Sequence, residues 1–433
     1  MAKRLRLLVA AVLVAAFTLA AAGCGGDDDG GGGGEQVSGS LSISGIWTGQ
    51  EARSFRAVLD GFTQDNPDVS IRYSPVGDQI PTVLSTAVEG GDPPDLAAVP
   101  QPGLVRDFVE RDALQSLDFA EGAINDNFSE GAVNVGTVDG QLYGLLFKAA
   151  NKSTVWYNVP LFEAAGVEPP EDFDGFLQAA QTLRESGTRA YSIAGADGWT
   201  LTDMFENIYV RQAGPELYDQ LAEHEIPWTH ESVTNALETM ARVLSDTDNI
   251  VGGTSGALET DFPSSVTNAF KEDPDAAMVI EADFVESVIT DSTEAEPETG
   301  FNVFDFPSID GSDPAVVGGG DSIIMFEDSP AARALIEYLA SPEAAEIWAQ
   351  RGGYSSANQN VDENAYEDPL LRRTATALAE AETFRFDLSD LQPAEFGATV
   401  GQGMWRAFQD FLSDPDDVEG TQRALERAAA RAF

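Results

Sequence analysis

From residue 41 onward the apolar positions of the chain switch repeatedly between two periods. Leu41-Ser42-Ile43-Ser44-Gly45-Ile46 alternates with period two, the signature of a strand. Phe55, Val58, Leu59 and Phe62 then fall at helical spacing, and Pro67 stops that helix. Val69, Ile71 and Tyr73 alternate again, Val83, Leu84 and Ala87 share a helical face that ends at Gly90-Gly91, and Asp95-Leu96-Ala97-Ala98-Val99 reads as a short buried strand. A helix with Leu104, Val105, Phe108 and Val109 follows, and Asp139-Gly140 between apolar runs marks a hairpin turn. This rhythm predicts an α/β sheet covered on both faces. The middle of the chain is richer in helices. Asp172 is placed to cap a helix carrying Phe173, Phe176, Leu177, Ala180 and Leu183, closed by Gly187. Ser329-Pro330 and Ser341-Pro342 are twin helix starts, each pairing a capping hydroxyl with proline at the first helical position. After Glu367 the pattern predicts helices to the end, and the whole reads as α/β with extra helices in two lobes.

The first residues follow a different logic. Lys3, Arg4 and Arg6 precede an uncharged apolar run, residues 7–22, that is short for a membrane span and ends in small residues, as a secretory signal does. Cys24, the chain's single cysteine, follows Ala21-Ala22-Gly23, which resembles the lipobox of bacterial lipoproteins. That resemblance implies a signal peptide over 1–23 and a lipid on Cys24 that anchors the mature chain to the cell membrane. Residues 24–40 are dominated by glycine and aspartate and read as a flexible tether. The body is then expected outside the cytoplasm.

Composition narrows the chemistry. Among 433 residues, 43% are hydrophobic, enough for a packed core rather than a disordered chain. The 73 Asp and Glu against 24 Lys and Arg give a formal charge of −49, which opposes any nucleic-acid partner. One cysteine excludes an internal disulfide, an all-cysteine zinc site and a CxxC redox pair, and two histidines, His224 and His230, exclude a His-rich metal site. No cofactor, metal or catalytic residue is expected, and the triple glycine at 318–320 lacks the GK[ST] that a phosphate loop requires.

Four stretches together resemble the extracellular solute-binding proteins of ATP-driven (ABC) importers, in the sugar-binding group known as family 1. They are Gly91-Asp-Pro-Pro-Asp-Leu-Ala-Ala-Val-Pro-Gln101; Val138-Asp-Gly-Gln-Leu-Tyr-Gly-Leu-Leu-Phe147 with Lys148 and Val155-Trp-Tyr-Asn158; Asn302-Val-Phe-Asp-Phe-Pro307 through Val317-Gly-Gly-Gly-Asp321; and Ser341-Pro-Glu-Ala-Ala-Glu-Ile-Trp348 through Gly352-Gly-Tyr-Ser355. Residues 148–157 and 198–214 look most like binders of α-glucosides. The chain departs from the group at Glu281-Ala-Asp-Phe284, where a Gly-x-Trp segment is frequent; phenylalanine offers a smaller stacking face and no N–H. The resemblance implies a two-lobed fold of the periplasmic-binding-protein kind with a hinge and a ligand cleft between the lobes. Residues 41–150 with 322–363 would form one lobe, and 151–317 with 364–433 the other, crossing at 149–153 and 318–321. It also implies a monomer that hands its ligand to the permease subunits.

A sugar site needs acidic and amide groups for hydroxyls and aromatic planes for C–H faces. Trp47, Gln50 and Glu51 at the first strand–helix junction, and Gln101 after a later strand, sit where an α/β sheet opens its crevice. Trp199, Thr200 and Asp203 are expected on a loop after Gly195–Gly198, Asp283 and Phe284 lie near a crossing, Gly319, Gly320 and Asp321 lie on one, and Tyr354 follows Gly352-Gly353. Partial exposure of Trp47 and Trp199 would suit stacking, whereas Trp348 and Trp405 lie in helical apolar stripes and read as core. Lys148 reads as a donor to the sugar, or else as the partner of a hinge carboxylate. Two other functions are open to the sequence: capture of a charged solute such as a polyamine, which the acidity suits, and a secreted glycosidase, which needs a suitably spaced carboxylate pair.

Overall fold

The computed structural model describes residues 37–433. The signal peptide, Cys24 and the tether up to residue 36 lie outside the described residues. The first strand, Gly39–Gly45, starts earlier than expected: Gly39 and Ser40, read above as the end of the tether, pair with Val69 and Ser70.

That strand sits inside the larger of two principal sheets. Its neighbours are Val69–Pro75 on one side and Leu96–Val99 on the other, both parallel to it. The chain thus leaves the central strand toward one side and returns on the other. The crevice this reversal opens lies at the strands' carboxyl ends, beside Ile46–Glu51 and Gln101. Beyond Leu96–Val99 come Val316–Met325, antiparallel to it, and Gly144–Asn151, antiparallel to that strand and to the two-residue strand Ser355–Ser356 that follows. Helix Gly49–Asp65 covers this sheet with Phe55, Val58, Leu59 and Phe62, the spacing read from the sequence. Helices Pro330–Leu339 and Pro342–Ala349 complete the layer; Ser329 Oγ accepts from Ala332 N at 3.1 Å and Ser341 Oγ from Ala344 N at 3.4 Å.

The smaller sheet has the order Phe301–Asp305, Thr154–Asn158, Ala276–Ile280, Arg189–Tyr191. Around it pack helices Phe173–Glu185, Trp199–Ala213, Glu231–Leu244, Gly403–Ser413 and Val418–Ala432. Asp172 caps the first of these by accepting from Gly175 N at 2.7 Å. Each sheet carries its own apolar core, and these are the two lobes of the expected architecture.

Two strands link the lobes side by side. Gly318, Gly319 and Gly320 of the Val316–Met325 strand pair with Asn151, Ala150 and Ala149 of the Gly144–Asn151 strand. Both strands are almost wholly buried, as strands covered on two faces must be. The register shifts between Asp321, opposite Lys148, and Ser322, opposite Leu146, so Phe147 is an extra residue. The glycines serve this pairing: a Cβ on Gly319 would stand 2.7 Å from Lys152 Cε, and one on Gly320 would collide with the Lys148 carbonyl.

One segment after Glu367 corrects the expectation of helices to the end. Phe384–Phe386 is a strand that pairs in parallel with Val316–Gly318 of the larger sheet. Three residues are too few for a period-two pattern to show in the sequence. Among the described residues, no helix is long and apolar enough to cross a membrane.

Candidate functional site

The two lobes face each other across a cavity of about 370 Å³. The larger sheet contributes the ends of its central strands: Trp47, Gln50, Glu51, Asp78 and Gln101. The crossing strands form the floor with Lys148, Ala150, Gly320 and Asp321. The opposite wall holds Asp197, Trp199, Phe262, Phe284, Ser287, Asp390 and Trp405.

The floor is an ionic group. Lys148 Nζ lies 2.6 Å from Glu51 Oε1 and 3.9 Å from Asp321 Oδ2, and Trp47 Nε1 donates to that same Asp321 oxygen at 2.6 Å. Burial disfavours the Lys148 ammonium, but Glu51 and Asp321 more than offset it, and its pKa is raised. Burial likewise lifts the Asp321 carboxyl above its ordinary range against the pull of Lys148. Lys148 therefore pairs with carboxylates at the hinge, the alternative noted from the sequence, while still bordering the cavity.

Trp199 is partly exposed, with Phe262 at 5.3 Å and Phe284 at 6.0 Å between ring centroids. Lys148 Nζ lies 4.9 Å from the Phe284 centroid and Lys152 Nζ 5.7 Å from that of Trp199; the three rings are still partly exposed and border the cavity, where C–H faces of a ligand can pack on the remaining aromatic surface. Close by, Asp197 accepts from Phe262 N at 2.6 Å; burial, with Asp78 and Asp261 nearby, raises its pKa to about 6. Burial raises Asp78 as well. Such a wall offers hydrogen-bond acceptors in excess of donors.

Behind it lies a second buried ionic group. Lys152 Nζ contacts Asp203 at 3.2 Å, Asp387 more closely, and Asp390 at 3.9 Å. Burial, then mutual repulsion, holds the carboxyls of Glu206 and Asp390 well above their ordinary range; at Asp203 Lys152 opposes this without overcoming it. Glu281 is raised in the same way by burial and Asp203. Asp387 goes the other way, because Lys152 and its hydrogen bonds outweigh burial. Asp203, Glu206 and Asp387 bring carboxylate oxygens within 4.8 Å of one another. The Lys152 ammonium bridges two of them and supplies the countercharge there.

The structure sorts the residues proposed from the sequence. It brings Trp47, Gln50, Glu51, Gln101, Lys148, Trp199, Phe284, Gly320 and Asp321 to one cavity wall or another. Trp47 differs in kind from the expectation: it is 1% exposed, packed 4.6 Å from Phe55 and 4.9 Å from Trp348 between centroids, so no face is free for stacking. Thr200, Asp203, Asp283, Gly319 and Tyr354 are elsewhere. The loop expected for Trp199, Thr200 and Asp203 is instead the start of helix Trp199–Ala213, entered through Gly198 at φ +84°; there Thr200 donates to Ala194 O at 2.7 Å, and Asp203 belongs to the Lys152 group. Asp283 accepts from Asn151 N at 3.1 Å and Ser355 Oγ at 2.6 Å, tying the hinge, while Tyr354 is fully buried and donates to Phe147 O. Sequence reasoning missed Asp78, Asp197 and Phe262, and assigned Trp405 to the core alone. Glycine beside Asp78 and Asp197, a loop signal, was the available hint for two of them.

Comparison with known proteins bears on this geometry. Residues 48–346 match the family described as bacterial extracellular solute-binding protein. The chain is 31% identical over 400 residues to the osmoprotective compounds-binding protein GgtB of Synechocystis sp., covering 90% of this chain and 92% of that one. It is 30% identical over 405 residues to the alpha-glucosides-binding periplasmic protein AglE of Rhizobium meliloti, covering 89% and 87%. In fold it is similar to the bacterial solute receptor AcbH, with a TM-score of 0.79 at 17% identity over 91% of this chain and 99% of that one. A second similar fold is RafE in complex with raffinose, with a TM-score of 0.72 at 16% identity over 90% and 100%.

Proposed function

The chain belongs to the bacterial extracellular solute-binding protein family, and we propose that it captures an α-glucoside for a sugar ABC importer. The observation that carries the sugar reading is the cavity itself, where carboxylates and an amide stand beside the open aromatic corner of Trp199, Phe262 and Phe284. Carboxylates accept from ring hydroxyls, and aromatic planes pack on the C–H faces of the same ring. The α-glucoside assignment draws on the similarity to AglE, and GgtB's osmoprotective compounds define the next solutes to try.

In this mechanism the lobes rotate about the paired crossing strands. A ligand touching both walls favours the shut form by its differential contacts there, and the shut form is what the permease meets. Delivery would take place at the outer face of the membrane, with the body held by a lipid on Cys24; mass spectrometry of the mature amino terminus tests that anchor. The ligand reading is tested by thermal shift over α-glucosides, monosaccharides, spermidine and peptides, followed by recovery of the ligand. A ligand at about 100 times its dissociation constant adds about 2.7 kcal/mol. Stabilisation by an α-glucoside recovered intact is the expected result. A response to spermidine alone overturns the sugar assignment, and recovery of cleaved sugar overturns the binding-protein reading in favour of a glycosidase.

A further inference from the structure

Among the described residues, only Gln101 and Trp405 both line the cavity and carry a buried polar atom with no partner. Each is 4% exposed; Gln101 leaves its amide oxygen without a donor, and Trp405 leaves its indole N–H without an acceptor. They belong to opposite lobes. Gln101 follows the Leu96–Val99 strand, whereas Trp405 lies in helix Gly403–Ser413 with Met404 and Phe408 in the core of the smaller sheet. Trp405 is held from behind by the chain itself, since a Cβ on Gly198 would stand 2.7 Å from Trp405 Cβ.

Buried polar atoms are nearly always paired, and an unpaired one is costly, so two orphans on one cavity call for a ligand that completes them. Their chemistry says which kind. The indole N–H is a donor only, and it needs an atom with a lone pair. Lys148 and Lys152, which also line the cavity, direct donors to Glu51, Asp203 and Asp387. A hydroxyl can accept from Trp405 and donate to Gln101 or to the carboxylates. A protonated amine has donors alone, so it can satisfy the acidic wall but leaves the indole stranded.

We propose that Trp405 is a specificity-determining residue whose indole N–H donates to a hydroxyl oxygen of the bound solute, so that the cavity selects polyols over the ammonium ligands its acidity attracts. Gln101 accepts from a second hydroxyl on the opposite wall. This inference rests on the sugar reading of the cavity and adds the residue that excludes its cationic rival.

Calorimetric titration of the full chain and of Trp405→Phe tests it, with α-glucosides, their mono-deoxy analogues and spermidine as ligands. Phenylalanine keeps the aromatic packing and removes the N–H. The variant is expected to bind the best α-glucoside about tenfold more weakly, the loss of one hydrogen bond to a buried donor. One mono-deoxy analogue should lose about as much on the wild type and nothing further on the variant. Equal affinity of a folded Trp405→Phe and the wild type overturns the inference while leaving the sugar reading intact. If the variant does not fold, equal binding of every mono-deoxy analogue by the wild type overturns it instead. A wild type that binds no carbohydrate overturns the sugar reading, and this inference falls with it.

Discussion

Lys148 and Asp321 face each other across the paired crossing strands, at the step where the register shifts, with the ammonium 3.9 Å from Asp321 and 2.6 Å from Glu51. Glu51 lies on the first helix of the lobe built on the larger sheet and Trp47 at the end of that sheet's central strand, so this group ties cavity wall to hinge. Replacing Lys148 with methionine removes the ammonium that Glu51 and Asp321 share. Breaking a buried pair in this way costs about 3–5 kcal/mol. Urea unfolding of Lys148→Met should show a lower midpoint, and adding Asp321→Asn should recover much of the loss. An unchanged midpoint in the single variant would show that the ion pair does not support the fold.

Glu286 sets a pH dependence of the opposite origin. Its carboxyl accepts from Gly353 N at 2.9 Å, and burial, with Asp368 nearby, raises its pKa to about 7. The folded state therefore prefers the protonated form. That contribution is complete below the ordinary carboxyl range and is lost as the pH rises through about 7. Glu286→Gln keeps an acceptor without the charge. It should match the wild type near pH 4 and exceed it above about pH 8, by up to about 3 kcal/mol. Melting temperatures of both proteins across this range check the crossover; a difference independent of pH would contradict it.

Gly353 marks a place where the lobes touch, against Ser287, which itself borders the cavity. It has φ of +60°, and a Cβ there would collide with Ser287 Cβ on helix Val285–Ser292 of the opposite lobe. Gly353→Ala is expected to prop the lobes apart. Ligand affinity should fall about tenfold or more, and the radius of gyration with ligand should stay at its ligand-free value. The neighbouring Arg53–Asp291 ion pair also joins the lobes, but its side chains are 48% and 41% exposed. Arg53→Ala should change stability by no more than about 1 kcal/mol and act mainly on the rate of ligand release, read by stopped-flow fluorescence. A Gly353→Ala protein that binds as the wild type does would contradict closure at this contact.

Local pattern was enough to read the first half of the larger sheet, because Leu41, Ile43, Phe55 and Phe62 declare their periods within a few residues. Ser329 and Ser341 announced their helices for a similarly local reason, a hydroxyl next to a proline. The strand Phe384–Phe386 was illegible because its partner lies some seventy positions away and its own length carries no period. The site shows the same division. Glu51, Gln101 and Trp199 were placed by the rule that strand ends and glycine loops open onto a crevice. Trp47 and Tyr354 obey that rule in sequence yet are sealed by Trp348 and Phe147, which only tertiary packing brings near. Asp203 stands close to the glycine-rich loop in sequence, but its helix turns it toward Lys152. Trp405 is the converse case: its apolar stripe is real, and so is the edge that borders the cavity.

The most direct test of the account is calorimetry on the wild type and on Trp199→Ala with the α-glucoside that gives the largest thermal shift. Trp199 borders the cavity and is partly exposed, with Phe262 and Phe284 beside it. The wild type should show one site per chain, and Trp199→Ala a loss of about 2 kcal/mol or more, on the scale of an aromatic anchor. Absence of heat with every α-glucoside, or equal affinity in a folded Trp199→Ala, would contradict the assignment of this cavity as the sugar site.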